Sequence, residues 1–385
     1  MKKIIFTALA ASALLSCSKD QVIEQNRAND EIEFSIAADN QTKAAQVYCA
    51  NNLMTEFTVY SSYKEGENTK WYIQGDKIVK DGASWKNSTA TRYWTAHTHN
   101  FYAVVNGTIT IDEADATVAP KVEGFTPATT VADQKDLLYA VATDKDKSSP
   151  SVALNFRHAL SQIEFKAKNT NSKFHVVING VRVGHTPGKG TFTFPATSTD
   201  ETFTDHAQAG NHAHATGTWD ITGATSADYT VKLASGISVA GTSTPVNITI
   251  STDADDASRN FANSMLLIPT TTTQLTPNAS SFNGTYLAVD CEIYNVAGTS
   301  FEPATDVKLH DGWAVIPVSF AWEPGKKYIY TFVFGEGNGG YDGGTGETPT
   351  PGTNPVLTPI SYTVTVDDFQ KGVDSDSDSD VDMKF

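Results

Sequence analysis

Two His-x-His pairs are the residues whose spacing could support metal chemistry. His97 and His99 form one pair, and His212 and His214 form the other. On a β-strand, residues i and i+2 point to the same face, so each pair could place two imidazoles on one metal ion. Both pairs lie in polar, turn-like sequence without a Cys or carboxylate partner at a recurring spacing. The pattern therefore favours surface histidines over a metal site.

Three glycines, Gly335, Gly337 and Gly340, have the G-x-G-x-x-G spacing of a dinucleotide site and follow a strong strand pattern. Such a site also needs a helix N-terminus to hold the pyrophosphate, and here only more Gly and Pro follow. The spacing therefore indicates a linker. The sequence contains no P-loop, no H-E-x-x-H and no G-x-S-x-G motif. We predict no catalytic residue, no metal site and no cofactor.

The chain ends in an alternating Asp-Ser run from Asp374 to Asp380, followed by Val381 and Asp382. A calcium loop of the EF-hand type needs Gly at its sixth position and Glu at its twelfth, and neither is present. The run therefore favours a solvated acidic tail over a calcium site.

The N-terminus has the pattern of an export signal. Lys2 and Lys3 precede an apolar run, Ile4 to Leu15, which is too short to span a bilayer as a helix. The run leads into Ser16-Cys17, which resembles a bacterial lipobox. That resemblance implies a signal peptide over residues 1–16, cleavage before Cys17 and acylation of Cys17. An ordinary signal peptide with an incidental cysteine is the alternative.

The composition excludes several classes of protein. The 385 residues include 28 Lys and Arg against 44 Asp and Glu, so the net charge is −16, and the pI is near 4.9. Nucleic-acid binding is disfavoured, because phosphate contacts need clustered Lys and Arg. Loss of Lys2 and Lys3 with the signal peptide takes the net charge from −16 to −18. Acyl chains, not charge, must then hold the protein at a membrane. Cys49 and Cys291 are predicted to be buried thiols, with a disulfide between them as the alternative.

Strand patterns recur along the chain between clusters of Gly, Asn, Asp and Thr, and no helical period is sustained. The clearest patterns alternate apolar and polar side chains at Ile32, Phe34 and Ile36, at Val289, Cys291 and Ile293, and at Tyr328, Tyr330, Phe332 and Phe334. Many short strands with turn signals between them predict an all-β protein built from sandwiches or barrels. Ala132 to Ala142 is the only stretch whose pattern allows a helix.

Two segments suggest boundaries. Asp144 to Pro150 is polar and ends in Pro, which suits a domain junction. Gly335 to Pro355 is rich in Gly and Pro and is predicted to be a flexible linker without a packed core. Beyond it, Ile360, Tyr362, Val364 and Val366 alternate with Ser361, Thr363 and Thr365. A lone strand is not stable in water, so this one must pair with a sheet of its own molecule or of another.

Five segments, in this order behind the lipobox, resemble the fimbrillin family, which comprises the lipoprotein pilins and pilin-like proteins of type V pili. They are Glu31 to Ala45 (EIEFSIAADNQTKAA), Asp136 to Ala140 (DLLYA), Leu154 to Phe165 (LNFRHALSQIEF), Met265 to Pro269 (MLLIP) and Gly325 to Phe332 (GKKYIYTF).

The resemblance implies two transthyretin-like Greek-key β-sandwich domains in tandem, with a tethered C-terminal strand. The expected division is a signal peptide (1–16), a lipidated pro-segment with the first strand (17–43), an N-terminal β-sandwich (44–150), a C-terminal β-sandwich (151–334), a Gly/Pro-rich linker (335–359), and a C-terminal strand with an acidic tail (360–385).

The resemblance also implies a maturation route. A trypsin-like protease removes the lipidated segment with its first strand, and the vacated groove accepts a terminal strand from a neighbouring subunit, a form of β-augmentation. The family favours Arg at the cleavage step, whereas this chain has Lys43 followed by Ala44. Cleavage at Lys43, cleavage at Arg27 and no cleavage therefore stay open. The candidate donor strand presents Ile360, Tyr362, Val364 and Val366.

The leading hypothesis is a structural pilus subunit, not an enzyme, that mediates adhesion. Its expected partners are other pilin subunits, in a homopolymer or a heteropolymer, and a host or bacterial surface ligand. It would be held at the outer membrane by lipid before maturation and lie in the fimbrium afterwards. The alternative is a non-polymerising surface adhesin or glycan-binding lipoprotein of the same fold. For the C-terminal strand, the rival of donation is a permanent edge strand in its own sheet.

Overall fold

The computed structural model describes residues 30–36, 54–82, 84–149, 151–199, 202–203, 212–213, 215–250, 263–278, 280–337, 340–356 and 358–368. These residues form β-strands, turns and loops, with a single 3-10 turn at Val131–Asp133. The all-β prediction is confirmed. None of the described residues belongs to a helix long and apolar enough to cross a membrane. Several predicted sites lie outside the described residues, namely Cys17, Arg27, Lys43, Ala44, Cys49 and the acidic tail.

The first sheet has eight strands. In chain order the first nine strands are β1 Glu33–Ile36, β2 Glu56–Glu65, β3 Asn68–Asp81, β4 Ser84–Asn87, β5 His99–Val105, β6 Lys121–Phe125, β7 Leu138–Lys145, β8 Ser151–Leu154 and β9 Arg157–His158. All except β6 belong to this sheet, in the order β8-β1-β4-β3-β2-β5-β7-β9. The sheet curls so that its own side chains form an apolar core. Phe156, just after β8, packs against Phe57 of β2 with ring centroids 5.3 Å apart.

The remaining strands are β10 Ser161–Asn169, β11 Phe174–Pro187, β12 Gly190–Thr193, β13 Thr202–Phe203, β14 His212–Ala213, β15 Thr218–Asp220, β16 Ser226–Val239, β17 Thr242–Asn247, β18 Met265–Leu267, β19 Tyr286–Asn295, β20 Val307–Pro317, β21 Lys326–Phe334, β22 Tyr341–Asp342 and β23 Ile360–Asp368. Two five-stranded sheets enclose a second core. One has the order β17-β10-β21-β23, with β18 also paired to β10, and the other has the order β16-β11-β19-β20-β22. The core includes Phe165 stacked on Phe332 from one sheet, and Val176 and Leu287 from the other.

The outer face of the first sheet is covered by a small sheet of β15, β12 and β6. Tyr139 of β7 packs on Phe192 of β12 with ring centroids 4.6 Å apart, and Trp219 of β15 joins the same cluster. Strands β8 and β9 also follow residue 150 yet belong to the first sheet. The first sheet therefore includes two strands that follow the predicted domain junction at Asp144 to Pro150. The division into domains at 44–150 and 151–334 stays a prediction.

The possible helix over Ala132 to Ala142 is wrong, because the stretch begins in a short 3-10 turn that ends at Asp133, and its residues from Leu138 onwards belong to strand β7. Leu138 and Ala140 face one apolar cluster, while Tyr139 and Val141 face the other, and all four are fully buried. A strand buried on both faces is a continuous apolar run, so its sequence lacks the alternation by which a half-buried strand is recognised.

Candidate functional site at the terminal strands

The first strand, β1, occupies an internal position in the eight-stranded sheet. It runs parallel to β8, with Phe34 opposite Val152, and antiparallel to β4, with Phe34 opposite Trp85. Just before the strand, the Ile32 amide donates to the Arg92 carbonyl at 2.8 Å. β1 is thus paired along both of its edges, and its removal would leave an open slot between β4 and β8.

The apolar side chains of β1 point into the core of the first sheet. Ile32 and Phe34 are buried and Ile36 is half-buried, as the alternating sequence predicts. The Phe34 ring lies edge-on to Phe57 and to Phe101, with centroid distances of 6.0 and 5.8 Å. Phe34 therefore fills an aromatic pocket at the centre of the slot.

The last strand, β23, lies at the edge of its sheet and runs antiparallel to β21, with Ile360 opposite Phe334 and Asp368 opposite Lys326. The structure brings the four candidate donor residues to one face of this strand, against the second core. Ile360 and Val366 are buried there, and the other two, Tyr362 and Val364, are half-buried. In the single chain, β23 thus completes its own sheet. Its donation to a neighbouring subunit stays a prediction.

The Gly/Pro-rich segment before β23 departs from the predicted flexible linker. Residues 340–356, here called the strap, run beside β20, where Tyr341–Asp342 (β22) pair with Ala314 and Val315 and extend the sheet. The strap holds Trp313 by three hydrogen bonds. The Trp313 amide donates to the Gly344 carbonyl (2.9 Å), the indole Nε1 donates to Gly346 (3.0 Å), and the Gly343 amide donates to the Trp313 carbonyl (2.8 Å). Trp313 is fully buried beneath the strap.

Glycines let the strap approach the sheet this closely. A Cβ at Gly340 would lie 2.7 Å from the Val315 carbonyl oxygen, and one at Gly312 (φ 118°) would clash with the Gly344 carbonyl. The prediction of a segment without a packed core is wrong for the strap, because glycine serves close backbone contact as well as flexibility. Only the short connection between Val356 and Ile360 joins the strap to β23.

The two imidazoles of the His97–His99 pair lie in different environments. His99 is fully buried, with its ring nitrogens 3.1 Å from Ser61 Oγ and 2.8 Å from Thr95 Oγ1. Burial, together with the charge of neighbouring His97, lowers the pKa of His99 to about 4. The surface prediction is therefore wrong for His99, whose hydroxyl partners could not be identified from its polar, turn-like neighbourhood. Half-exposed His97 stacks on Tyr63. Within the described ranges, no group of three or more His, Cys, Asp or Glu could hold a metal ion.

Cys291 is a fully buried free thiol in the second core, and burial raises its pKa. This agrees with the prediction of a buried thiol. With the thiolate suppressed, the residue behaves as a small apolar side chain.

Segments that carry the family resemblance meet in the structure. β7, which includes part of the DLLYA segment, pairs with β9, where Leu138 lies opposite His158. Asp136 Oδ2 lies 2.6 Å from His158 Nδ1, and both side chains are almost fully buried. Leu266 of the MLLIP segment shares an apolar cluster with Tyr139. These motif residues therefore hold the fold together. The buried Asp136–His158 pair was not foreseen, because each residue lay in a different motif.

A family model described as fimbrillin-like matches residues 37–351. A search of curated proteins found no match. Among solved structures, the chain is similar to a fimbrial protein from Bacteroides vulgatus, with 14% identity, 89% of this chain and 100% of the other covered, and a TM-score of 0.47.

Two further structures are also similar. One is a fimbrilin from Porphyromonas gingivalis (13% identity, 89% and 98% coverage, TM-score 0.40). The other is a candidate cell adhesion protein from Bacteroides eggerthii (16% identity, 88% and 95% coverage, TM-score 0.42). Since the family model spans well over half of the chain, the protein belongs to the fimbrillin-like family.

Proposed function

We propose that this protein is a structural subunit of a type V pilus, exported as a lipoprotein through Cys17, matured by proteolysis and polymerised by donor-strand exchange into an adhesive fibre. Membership of the fimbrillin-like family supports a fimbrial structural or adhesin role at the cell surface. The observation that carries the finer proposal is the placement of β1, a four-residue strand that precedes Lys43 in the chain yet sits inside a sheet.

Because of the position of β1 in the sheet, the site of cleavage determines whether the slot between β4 and β8 opens. Cleavage after Lys43 removes β1 together with any lipid on Cys17, and no other described strand precedes the cut. Cleavage at Arg27 would also remove the lipid but would leave β1 in place. Only the Lys43 cut therefore opens the slot between β4 and β8.

An emptied slot would expose unpaired backbone groups on both sides and an aromatic pocket lined by Phe57 and Phe101. Such an edge is a strong template for a strand from another chain. β23 suits this role, because it lies at the edge of its sheet and alternates apolar and polar residues as β1 does.

The second candidate function is a non-polymerising surface adhesin or glycan-binding lipoprotein of the same fold. The observation that favours it is that β23 already completes its own sheet, with Ile360 and Val366 buried in the second core. A strand in this position is already paired and does not require the sheet of a neighbouring subunit.

N-terminal sequencing of the protein purified from the cell surface tests the proposal, together with electron microscopy of the same cells. We expect wild-type fibres whose subunits begin at Ala44. Lys43→Ala should stay membrane-bound and monomeric, whereas the control Lys64→Ala, at an exposed lysine, should assemble normally. Fibres built from subunits that begin at Cys17 or just after Arg27 would overturn the proposal.

A further inference from the structure

We propose that Tyr362 takes the place of Phe34 in the slot of the neighbouring subunit, and so sets the register of exchange. This inference rests on the proposed function and adds to it the residue that specifies how the two strands align.

The two terminal strands share one five-residue pattern. β1 and the residue before it read Ile32-Glu-Phe-Ser-Ile36, and β23 begins Ile360-Ser-Tyr-Thr-Val364. Both place an aromatic residue between two β-branched aliphatic residues, with polar residues at the intervening positions. Because the aromatic residue is central, the match holds whether the incoming strand runs parallel or antiparallel to the strand it replaces.

The pocket in the slot selects an aromatic side chain. Phe34 is 5% exposed and lies edge-on to two aromatic rings, those of Phe57 and Phe101. A valine or isoleucine there would leave a cavity in a closely packed core, which is costly. Tyr362 fills the same volume apart from its hydroxyl, and volume-conserving exchanges are tolerated best.

Other registers are physically poor. A shift of one residue would turn Ser361 or Thr363 into the core, because side chains alternate between the two faces. A shift of two would put Ile360 or Val364 in the aromatic pocket and move Tyr362 to a position that holds Ile32 or Ile36. Only the central register matches side-chain size at all three inward positions.

Tyr362 gains burial by the exchange, whereas Val366 does not. On its own sheet Tyr362 is half-buried, with its ring 6.2 Å from that of Tyr330, while Phe34 in the slot is almost completely buried. Val366 is already buried at home and lies beyond the matched five residues. Substitutions at Tyr362 and at Val366 therefore distinguish an effect on strand exchange from an effect on the packing of β23 in its own sheet.

Disulfide mapping in the full chain tests the register, and Tyr362 is kept in every variant except the one that carries a cysteine at position 362. Leu154 lies opposite Ile36, so Leu154→Cys marks the end of the slot, and Cys49→Ser removes a competing thiol. Donor cysteines are placed one at a time at 360, 362, 364 and 366, and fibres are oxidised mildly and analysed for covalent ladders. Ile36→Cys with Leu154→Cys in the uncleaved Lys43→Ala chain is the positive control, because paired positions on neighbouring strands suit a disulfide.

We expect ladders from Val364→Cys if the donor runs as β1 does, or from Ile360→Cys if it runs the opposite way, and none from positions 362 and 366. Ladders from 362 or 366 would overturn the proposed register and leave strand exchange standing. Fibres with no ladder from any position, beside a working positive control, would overturn both the register and the proposed function.

Assembly rates give a second measurement. Tyr362→Phe should assemble as the wild type does, while Tyr362→Ala should assemble at least about tenfold more slowly, because it leaves the aromatic pocket empty. Val366→Ala should not slow assembly. Equal slowing by Tyr362→Ala and Val366→Ala would contradict the proposal.

Discussion

Asp136 Oδ2 and His158 Nδ1 lie 2.6 Å apart, and both side chains are almost fully buried. The bond joins the segment before β7 to β9, so one contact ties together two of the motifs that mark the family. Because neither group reaches water, each depends on its protein partners to satisfy its polar atoms.

We expect His158→Ala to lower the free energy of unfolding by about 3 kcal/mol, because it leaves the buried carboxyl of Asp136 without this donor. His97→Ala, at a half-exposed histidine, is the matched control and should cost about 0.5 kcal/mol. Urea unfolding of both variants measures the difference. Equal losses of unfolding free energy in the two variants would show that the buried Asp136–His158 pair makes no particular contribution to stability.

The stability of the protein should fall as the pH drops from 6.5 to 4, in part because of His99. Burial lowers the pKa of His99 from its ordinary 6.5 to about 4, so in this window the unfolded chain binds a proton that the folded chain does not. The slope of unfolding free energy against pH is therefore positive there, and the full shift is worth on the order of 3 kcal/mol. Burial also lowers the pKa of His175, which adds to the slope in the same direction.

His99→Gln keeps a hydrogen-bonding side chain but removes the titration. Chemical unfolding at several pH values between 4 and 7 should show a shallower slope for this variant than for the wild type. An unchanged slope would mean that His99 does not contribute to the acid sensitivity.

The strap should be sensitive to a single methyl group at Gly312. Gly312→Ala places a Cβ against the Gly344 carbonyl, so we expect the strap to lift from β20 and a loss of about 1–3 kcal/mol. Gly82→Ala is the control, because Gly82 also has a positive φ but no atom within 4 Å of its Cβ position. Limited proteolysis should then cut within residues 340–356 of the Gly312 variant and leave the control intact.

Whether a strand could be recognised from the sequence depended on how many of its faces are exposed to water. β1 and β23 each have one apolar and one polar face, so alternation alone identified them. β7 is buried on both faces and therefore lost that signal. The strap was missed for another reason. Gly340 and Gly343 lie buried against the sheet, but the segment that contains them has the Gly/Pro-rich composition of a flexible linker. Sheet order was also beyond the sequence, since β1 lies beside β8, more than 100 residues away.

Acylation at Cys17 is predicted from the lipobox-like sequence that precedes it. Cys17→Ala should abolish metabolic labelling with a fatty-acid analogue and shift the protein to the soluble periplasmic fraction. Cys49→Ser is the control and should keep the label, because this cysteine is not preceded by an apolar signal sequence. Labelling that persists in Cys17→Ala would rule out lipidation at this position.

The last prediction decides between donation of β23 and a permanent place in its own sheet. Thr331 and Thr363 lie opposite each other on β21 and β23, and neither is buried. A disulfide between cysteines at these two positions can therefore hold β23 in its own sheet without disturbing the core. We expect the oxidised double variant to fold and to be processed normally but to stay monomeric. Addition of a reductant should then restore assembly, so the same molecules provide the control. If the locked protein polymerises as fast as the reduced protein, β23 is not the donor, and its nine-residue pairing with β21 belongs to the finished subunit.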